Sequence, residues 1–557
     1  MSSDSDTPAV LPSPTPPPGL PPLDVSRTDD PDVLAEAARD DYSLHVVPRS
    51  WRLSAPKMAL AWSALMSAMF WVVVAAGASL VVGSVQALIG LAVAVVVHGT
   101  LCLVMSRTAA ESGQTVGLFS RAMFGYRGAA IATLALGLTG TWFAVFEGSV
   151  LAVAAQAQFG GPIWLWYLVV TLVCIPLVIG GVREAIEKVN AWLLPVFLVG
   201  LVVTVVWATA VYGYHGGWLT AAPKSPTPMA GPGWLYVFAI YMGVFSNVLY
   251  TFDFARMGRP QDHRVNGLHT FGYTFYFFTI LVNGAVGIYL VNTLPLAEVS
   301  ESGLVVGIVA LMGLLGVVFI VATQLKINTA NFYVASTNFQ GLFSRTFNIT
   351  LSRTTWVFIV GALSFAVMTL NIFSFINTWL SYQGAVLVAW VGIALVTVAD
   401  ARRRGRAGDV AFEFRPGRVP RVDVGGVVAW VVASGVGITL IATGSALAST
   451  WALVITFVLA VGIAAAGKAV RHRRAGAGAG AAASGAAASG APRAHDPRDE
   501  VADVWLDRIR CHVCRHSYVA VEMDRDPAHG HEAICAACAT SSAFLDAAAA
   551  DTGPVRS

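Results

Sequence analysis

The sequence predicts an all-α polytopic membrane protein, and three observations carry that prediction. Charged residues make up only 12% of the 557 and hydrophobic residues 56%, where a soluble domain holds roughly 25% charged residues. From Met58 to Ser106 there is no Asp, Glu, Lys or Arg. A spanning helix needs about 20 apolar residues, so that run holds two, parted near Gly83 and Ser84. The third observation is that basic residues gather in alternate loops. The formal net charge of +3 says less than this distribution.

Apolar runs place twelve spans near 57–81, 85–105, 128–156, 163–182, 190–212, 233–254, 268–292, 310–340, 355–373, 375–399, 424–443 and 448–468. The eighth run starts as early as Gly303. Arg49, Arg52 and Lys57 precede the first span. Arg107, Arg121 and Arg127 follow the second, Arg183 and Lys188 the fourth, and Arg256, Arg259 and Arg264 the sixth. Arg345 and Arg353 follow the eighth, a dense group runs from Arg402 to Arg421, and Lys468, Arg471, Arg473 and Arg474 close the last span. The intervening loops hold only Lys224. Positive loops face the cytoplasm, so the reading is a multi-pass plasma-membrane protein with both termini cytoplasmic.

The ends are different material. Residues 1–40, with PSPTPPPGLPP, are expected to be a disordered tail because they cannot bury enough apolar surface to fold. Residues 471–500 are Gly/Ala/Ser-rich and read as a flexible linker. Residues 501–557 carry CHVC at 511–514 and CAAC at 535–538, separated by 20 residues. Cys511, Cys514, Cys535 and Cys538 at this spacing suit a closed tetrahedral zinc site. Two redox pairs are the alternative, disfavoured in a reducing cytosol. Four thiolates leave no open coordination position, which points to a structural mini-domain with a cytoplasmic protein partner. His512, His516, His529 and His531 stand nearby as substitute ligands. Cys102 and Cys174 sit in spans as small packing residues.

Inside the spans, only Glu147 and Lys326 are charged away from helix ends. Ionisable residues there usually mark a substrate or ion pathway. Asp253 and Arg256 end the sixth span as an ordinary helix terminus would. That span centres on Gly243 and the pair Ser246 and Asn247, which suits either close helix packing or a broken helix whose freed backbone binds a ligand. No Gly-rich phosphate loop or catalytic Ser/His/Asp arrangement is present, so an enzyme is not expected, nor is nucleic-acid binding.

Four segments in order carry a resemblance: YSLHVVPRSWR at 42–52, GVFSNVLYTFDFARMGR at 243–259, NFYVASTNF at 331–339 and FINTWLSYQGAVLVAWVGIALVTVAD at 375–400. Together they resemble the nucleobase:cation symporter-1 family of purine, cytosine, hydantoin and allantoin permeases, over roughly 40–470. The resemblance implies a leucine-transporter-type five-plus-five inverted repeat with two extra helices and with the first and sixth helices broken at mid-membrane. It implies a small planar heterocycle held by aromatic stacking, of the order of 1–3 kcal/mol per base, with amides reading its edge. Position by position, it implies substrate binding by Trp142, Phe143 and Glu147 in the third span, Gly243 and Phe245 in the sixth, and Asn331 in the eighth. Val244 stands where the family commonly has an aromatic.

The same alignment puts Leu325, Lys326 and Asn328 in the neighbourhood where sodium-coupled relatives hold their ion between the first and eighth helices. Lys326 lies five residues before Asn331, about 7–8 Å toward the outside, at a depth where it can pair with Glu147. An ammonium there repels Na⁺. The expectation is a proton-coupled or sodium-independent importer of a nucleobase or related heterocycle, with Lys326 or Glu147 titrating. Two other readings stay open: a membrane sensor signalling through the zinc tail, and an amino-acid or amine carrier with Glu147 as counter-ion.

Overall fold

The computed structural model describes residues 19–40, 42, 45–179, 182–296, 300–347, 349, 351–370, 376–404, 412–483 and 496–551. Helices occupy the apolar runs. The second span is Ser84–Ser112, the third Ala130–Phe159, the fifth Leu194–Tyr212, the seventh Pro260–Thr293 and the tenth Thr378–Arg403; Val424–Ala442 and Ala446–Arg473 follow. By length and composition eight helices suffice to cross a bilayer, or ten when each of two bent pairs counts as one span. Shorter apolar helices, Ile163–Ile179 and Thr354–Met368, stand at the fourth and ninth expected positions. Length and composition therefore support eight to ten spans and do not reach the expected twelve.

The two bent pairs are the first and sixth spans. Ala55–Ser67 and Phe70–Val82 meet at 42°, Gly233–Met242 and Ser246–Ala255 at 43°. Equal bends five spans apart fit the two halves of an inverted repeat. The first break contains neither Gly nor Pro. Its released backbone groups, which no water can satisfy in a bilayer, are taken by side chains instead. Trp71 Nε1 donates to Leu65 O at 2.8 Å, Asn283 Nδ2 donates to Met66 O at 2.9 Å, and Met69 N donates to Gln324 Oε1 at 3.2 Å. The sixth break is tighter: Val244 N and Phe245 N bond back three residues to Tyr241 O and Met242 O, as in a 3₁₀ turn.

At the eighth position the expected single apolar run is two helices, Glu301–Met312 and Leu314–Phe347. They are parted by Gly313, whose φ of +56° suits only a residue without Cβ. Lys326 therefore lies well inside a continuous helix rather than at its end.

Part of the N-terminal segment expected to be disordered is ordered. β1 (Val25–Ser26) pairs antiparallel with β2 (Arg508–Arg510), which pairs with β3 (Ser517–Val519). A helix, Pro31–Asp40, follows β1. The segment has too little apolar surface to fold alone, and it folds by lending Val33, Tyr42 and Val47 to a core built by Ile509, Tyr518, Met523, Ile534 and Phe544. β4 (Met523–Asp526) and β5 (Glu532–Cys535) form a second antiparallel pair, and helix Ser542–Asp551 closes the module. The expected linker also differs: the last span's helix continues to Ala483, because Ala favours the helix; residues 484–495 lie outside the described residues. Segments near the two ends of the described chain thus meet in one module.

Candidate functional site

The third, seventh and eighth spans meet at the first-span break. The third span crosses the eighth helix so closely that a Cβ on Gly140 would lie 2.8 Å from Ala335 N and 3.0 Å from Asn331 O. This contact brings Glu147 against the eighth helix. Glu147 is 1% exposed and accepts a hydrogen bond from Gln324 Nε2. Gln324 Oε1 in turn holds Met69 N, so one buried amide joins the third span, the eighth helix and the first-span break. Asn331 lies seven residues beyond Gln324, two turns along the same face. Its Nδ2 is buried and has no hydrogen-bond partner among the described residues.

Aromatic rings of the third span, Trp142, Phe143 and Phe146, precede Glu147. Phe70, the first residue after the break, meets Phe143 and Phe146 edge-on at 5.5 and 5.4 Å. Trp142 stacks on Trp379 of the tenth span, with centroids 4.7 Å apart and planes 25° apart. A planar ring held between two others needs contacts of about 3.5–4.0 Å on each face. Admitting a heterocycle between these two indoles therefore means separating them to about 7–8 Å. Phe245 is buried edge-on to His98 of the second span at 5.1 Å.

The sixth-span break is pinned by the tenth span. A Cβ on Gly243 would lie 2.7 Å from Leu380 O, and one on Gly384 2.8 Å from Gly243 Cα. Close packing and a broken helix, alternatives in the sequence, are thus both present. Gln383 Nε2 donates to Gly243 O at 3.5 Å, while Gln383 Oε1 and Asn247 Nδ2 are buried without partners among the described residues. Buried polar groups are normally satisfied, so these two amides retain open hydrogen-bonding capacity at the sixth-span break.

The coupling-ion region divides differently from expectation. Asn328 Nδ2 contacts Cys174 Sγ at 3.4 Å, and Leu325 packs with Ala144, Cys174 and Phe332. Asn328 lies one turn beyond Gln324 on the same face, against the fourth helix, and Leu325 lies beside that face; Gln324 reaches both Glu147 of the third span and Met69 of the first. The Lys326 side chain lies outside the described residues, so its expected pairing with Glu147 does too. Gln324, Asn283, Trp379 and Gln383 were the residues sequence reasoning missed. Gln324 and Asn283 were visible as isolated amides in apolar helices; nothing in the sequence told which backbone groups they reach.

Outside the membrane, the four cysteines come together. The sulfurs of Cys511, Cys514, Cys535 and Cys538 lie within 4.8 Å of one another. Tetrahedral Zn–S bonds of about 2.3 Å put sulfurs about 3.8 Å apart. Cys535 N points at Cys511 Sγ at 3.4 Å and Cys538 N at Cys535 Sγ at 3.5 Å. Backbone donors on sulfur favour the thiolate form that a metal requires. Arg515, at φ +66°, turns the chain directly after Cys514.

This module is built into the loops beneath the spans. Arg415, 1% exposed, pairs with Glu413 at 2.8 Å and Asp496 at 2.7 Å and also donates to Met523 O. Burial pushes the Glu413 and Asp496 carboxyls up, but Arg415 outweighs it and holds each at about 2. Trp505 lies under Arg49 and Arg52 at 5.3 and 4.8 Å. Arg256 Nη1 donates to Tyr42 O and Asp253 accepts from Val116 N, so the sixth-span terminus ties together the N-terminal segment and the loop after the second span.

Two solved structures share this fold. Mhp1, described as a nucleobase-cation-symport-1 family transporter, in a closed conformation with bromovinylhydantoin bound, matches with a TM-score of 0.59 at 17% identity, over 76% of this chain and 94% of that one. The inward-facing conformation of Mhp1 matches with a TM-score of 0.59 at 16% identity, over 75% of this chain and 92% of that one. No family model and no curated protein matches the sequence.

Proposed function

We propose that this protein is a secondary active transporter importing a nucleobase or related nitrogen heterocycle, such as a purine, cytosine or vitamin-like pyrimidine, across the plasma membrane. Its termini are cytoplasmic. The observation that carries the reading is the Glu147–Gln324–Met69 chain, which couples a buried carboxylate to the hinge of a broken helix beside stacked aromatic rings. The likeness of fold to Mhp1 supports it. A flat, polar-edged solute suits this place: the Trp142–Trp379 pair offers π-faces, and Glu147, Asn331, Asn247 and Gln383 offer donors and acceptors for its edge. Phe143 and Phe70 close the apolar side, and Gly243 lets the tenth span hold the broken sixth helix.

Movement belongs to the first span. The half-helix Ala55–Ser67 is joined to Phe70–Val82 only through Ala68 and Met69, and three side-chain bonds hold that joint. A solute or proton that changes the bonding of Glu147 changes the hold of Gln324 on Met69. Proton coupling is the reading favoured by Glu147, a carboxyl group in the membrane interior; Lys326, at a position inside the eighth helix, is the expected second titrating residue. Uptake into proteoliposomes across separate Na⁺ and pH gradients tests this: accumulation is expected with an inward proton gradient alone. Strict dependence on Na⁺ would refute proton coupling and leave the carrier reading standing. Uptake of amines instead of heterocycles would make Glu147 a counter-ion.

Zinc fits the four cysteines and would act there as a structural cross-link in a closed site. A second reading, transport controlled by this module, is favoured by one observation. The module grips the segment leading into the first half-helix, and Leu53 is itself bonded to Met257 and Arg259 at the end of the sixth span. Deleting 496–557 distinguishes the readings: a changed uptake rate supports control, and an unchanged one leaves a docking module for a cytoplasmic partner.

A further inference from the structure

Beside the four cysteines lies a second constellation of different chemistry. His512 sits inside the first cysteine knuckle, Asp526 ends β4, and His529 lies in the turn Pro527–His529 that leads to β5. Asp526 Oδ2 is 3.0 Å from His512 Nε2 and 2.9 Å from His529 Nδ1. The three ligand atoms all lie within 4.8 Å of one another. A first-row divalent ion with bonds of about 2.0–2.1 Å and tetrahedral angles separates its ligand atoms by about 3.3–3.4 Å. Asp526 Oδ2 is within a few tenths of an ångström of that spacing from each ring nitrogen, and the two nitrogens lie within 4.8 Å of each other.

Three further features match a built site. The other ring nitrogen of His512, Nδ1, faces Glu532 Oε2 at 3.3 Å. A carboxylate behind a ligating imidazole is the arrangement that fixes its tautomer and aims its free nitrogen at a metal. Asp526 Oδ1 is occupied by Ala528 N at 2.9 Å, which orients Oδ2 toward both rings. The backbone around the cluster is fixed as well: His512 N bonds Ala533 O, His531 N bonds Asp526 O, and Gly530 and His531 at φ +62° and +63° fold the turn back over Asp526.

We propose that His512, Asp526 and His529 form a second metal site, distinct from the four cysteines, which takes an exchangeable first-row divalent transition ion. Two imidazoles and one carboxylate select Zn²⁺, Co²⁺, Ni²⁺ or Fe²⁺ over Mg²⁺ and Ca²⁺, which prefer all-oxygen shells. Three protein ligands leave a position open. Asp526 is buried while His529 is 62% exposed on its side chain, so the open side faces solvent and the ion exchanges. The two sites of one module therefore differ in kind: one closed and sulfur-lined, one open and nitrogen- and oxygen-lined.

Cobalt titration of the full-length detergent-purified protein, with bound metal per chain counted at equilibrium by dialysis against a fixed free Co²⁺ concentration, tests this. Wild type is expected to bind one more Co²⁺ per chain than His529→Ala, and that additional ion lacks sulfur-to-cobalt charge transfer. Asp526→Asn is expected to lose the same ion. His529 is exposed, so its replacement leaves the module folded, and retention of the sulfur-type absorption in His529→Ala checks that. Because the result is a difference between wild type and variant, it reads the same whether or not the cysteines hold metal. Equal metal counts in wild type and His529→Ala would overturn the proposal and leave the cluster as two imidazoles hydrogen-bonded to one carboxylate.

Discussion

The membrane core and the module built from the N- and C-terminal segments differ in how they hold buried polar groups. In the module, Arg415 is paired with Glu413 and Asp496, Arg418 with Asp524, and Arg508 with Asp29. In the core, Asn247, Asn331 and Gln383 each keep a buried polar atom without a partner among the described residues, and Glu147 is held through a single amide. A satisfied network in low dielectric is rigid; an incompletely satisfied one is costly unless something completes it. The module's ion pairs thus favour one fixed arrangement, whereas the proposed transport role uses the open hydrogen-bonding capacity of the core.

Replacing Cys511 and Cys535 together by Ser probes this contrast with the largest expected effect. Structural zinc contributes about 10–16 kcal/mol in small metal-folded modules, so residues 496–551 are expected to become protease-sensitive while thermal unfolding of the core is unchanged. A module that resists protease in this variant does not depend on metal. Arg415→Ala comes next. Removing one partner from a buried ion pair costs about 3–5 kcal/mol, and at this site it releases the loop Phe412–Arg421 from the module, measurable as faster amide exchange of both.

Glu147→Gln acts on the other region. The glutamine keeps an oxygen that accepts from Gln324 Nε2 and removes only the titrating group, so uptake is expected to lose its pH dependence and its drive from a proton gradient with the melting temperature retained. A drop in melting temperature with transport intact would make Glu147 structural. The smallest effect is the response of the module to acid. Glu413 and Asp496 are held at about 2, below their ordinary values of 4.5 and 3.8. A lowered carboxyl stabilises the folded form above its unfolded value and loses that contribution as pH falls through the folded one. Docking of the module should therefore be constant above about pH 4.5 and weaken progressively toward pH 2, as read by protease release of the tail.

Much of the membrane architecture was legible because it rests on one-dimensional signals. Apolar runs and alternate basic loops placed most helices, Gly243 pointed to the sixth-span break, and the first-span break was expected only from the family resemblance. The two cysteine knuckles were legible for the same reason, since their ligand spacing is local. Contacts made across the fold were not. Nothing near Val25 announces that it pairs with Ile509, because two strand residues carry no periodic signal and the partner lies at the other end of the chain. The first break has no Gly or Pro, and its cause is tertiary: Gln324, Asn283 and Trp71 supply the bonds that the helix forgoes. Glu147 was identifiable as an isolated charge, whereas its partner was expected to be Lys326 and Gln324 occupies that role among the described residues. Trp379 lay inside a quoted motif, yet only the crossing of the third and tenth spans reveals its stacking on Trp142.

The central claim is that the cluster around Glu147 and the Trp142–Trp379 pair is where a planar heterocycle is carried. Uptake of a panel of labelled cytosine, uracil, adenine, hydantoin and thiamine precursors by proteoliposomes, with wild type and Trp142→Ala side by side, tests it most directly. The account predicts gradient-driven accumulation of at least one heterocycle by wild type and its loss in Trp142→Ala. Accumulation of the same heterocycle at an equal rate by both proteins would contradict it.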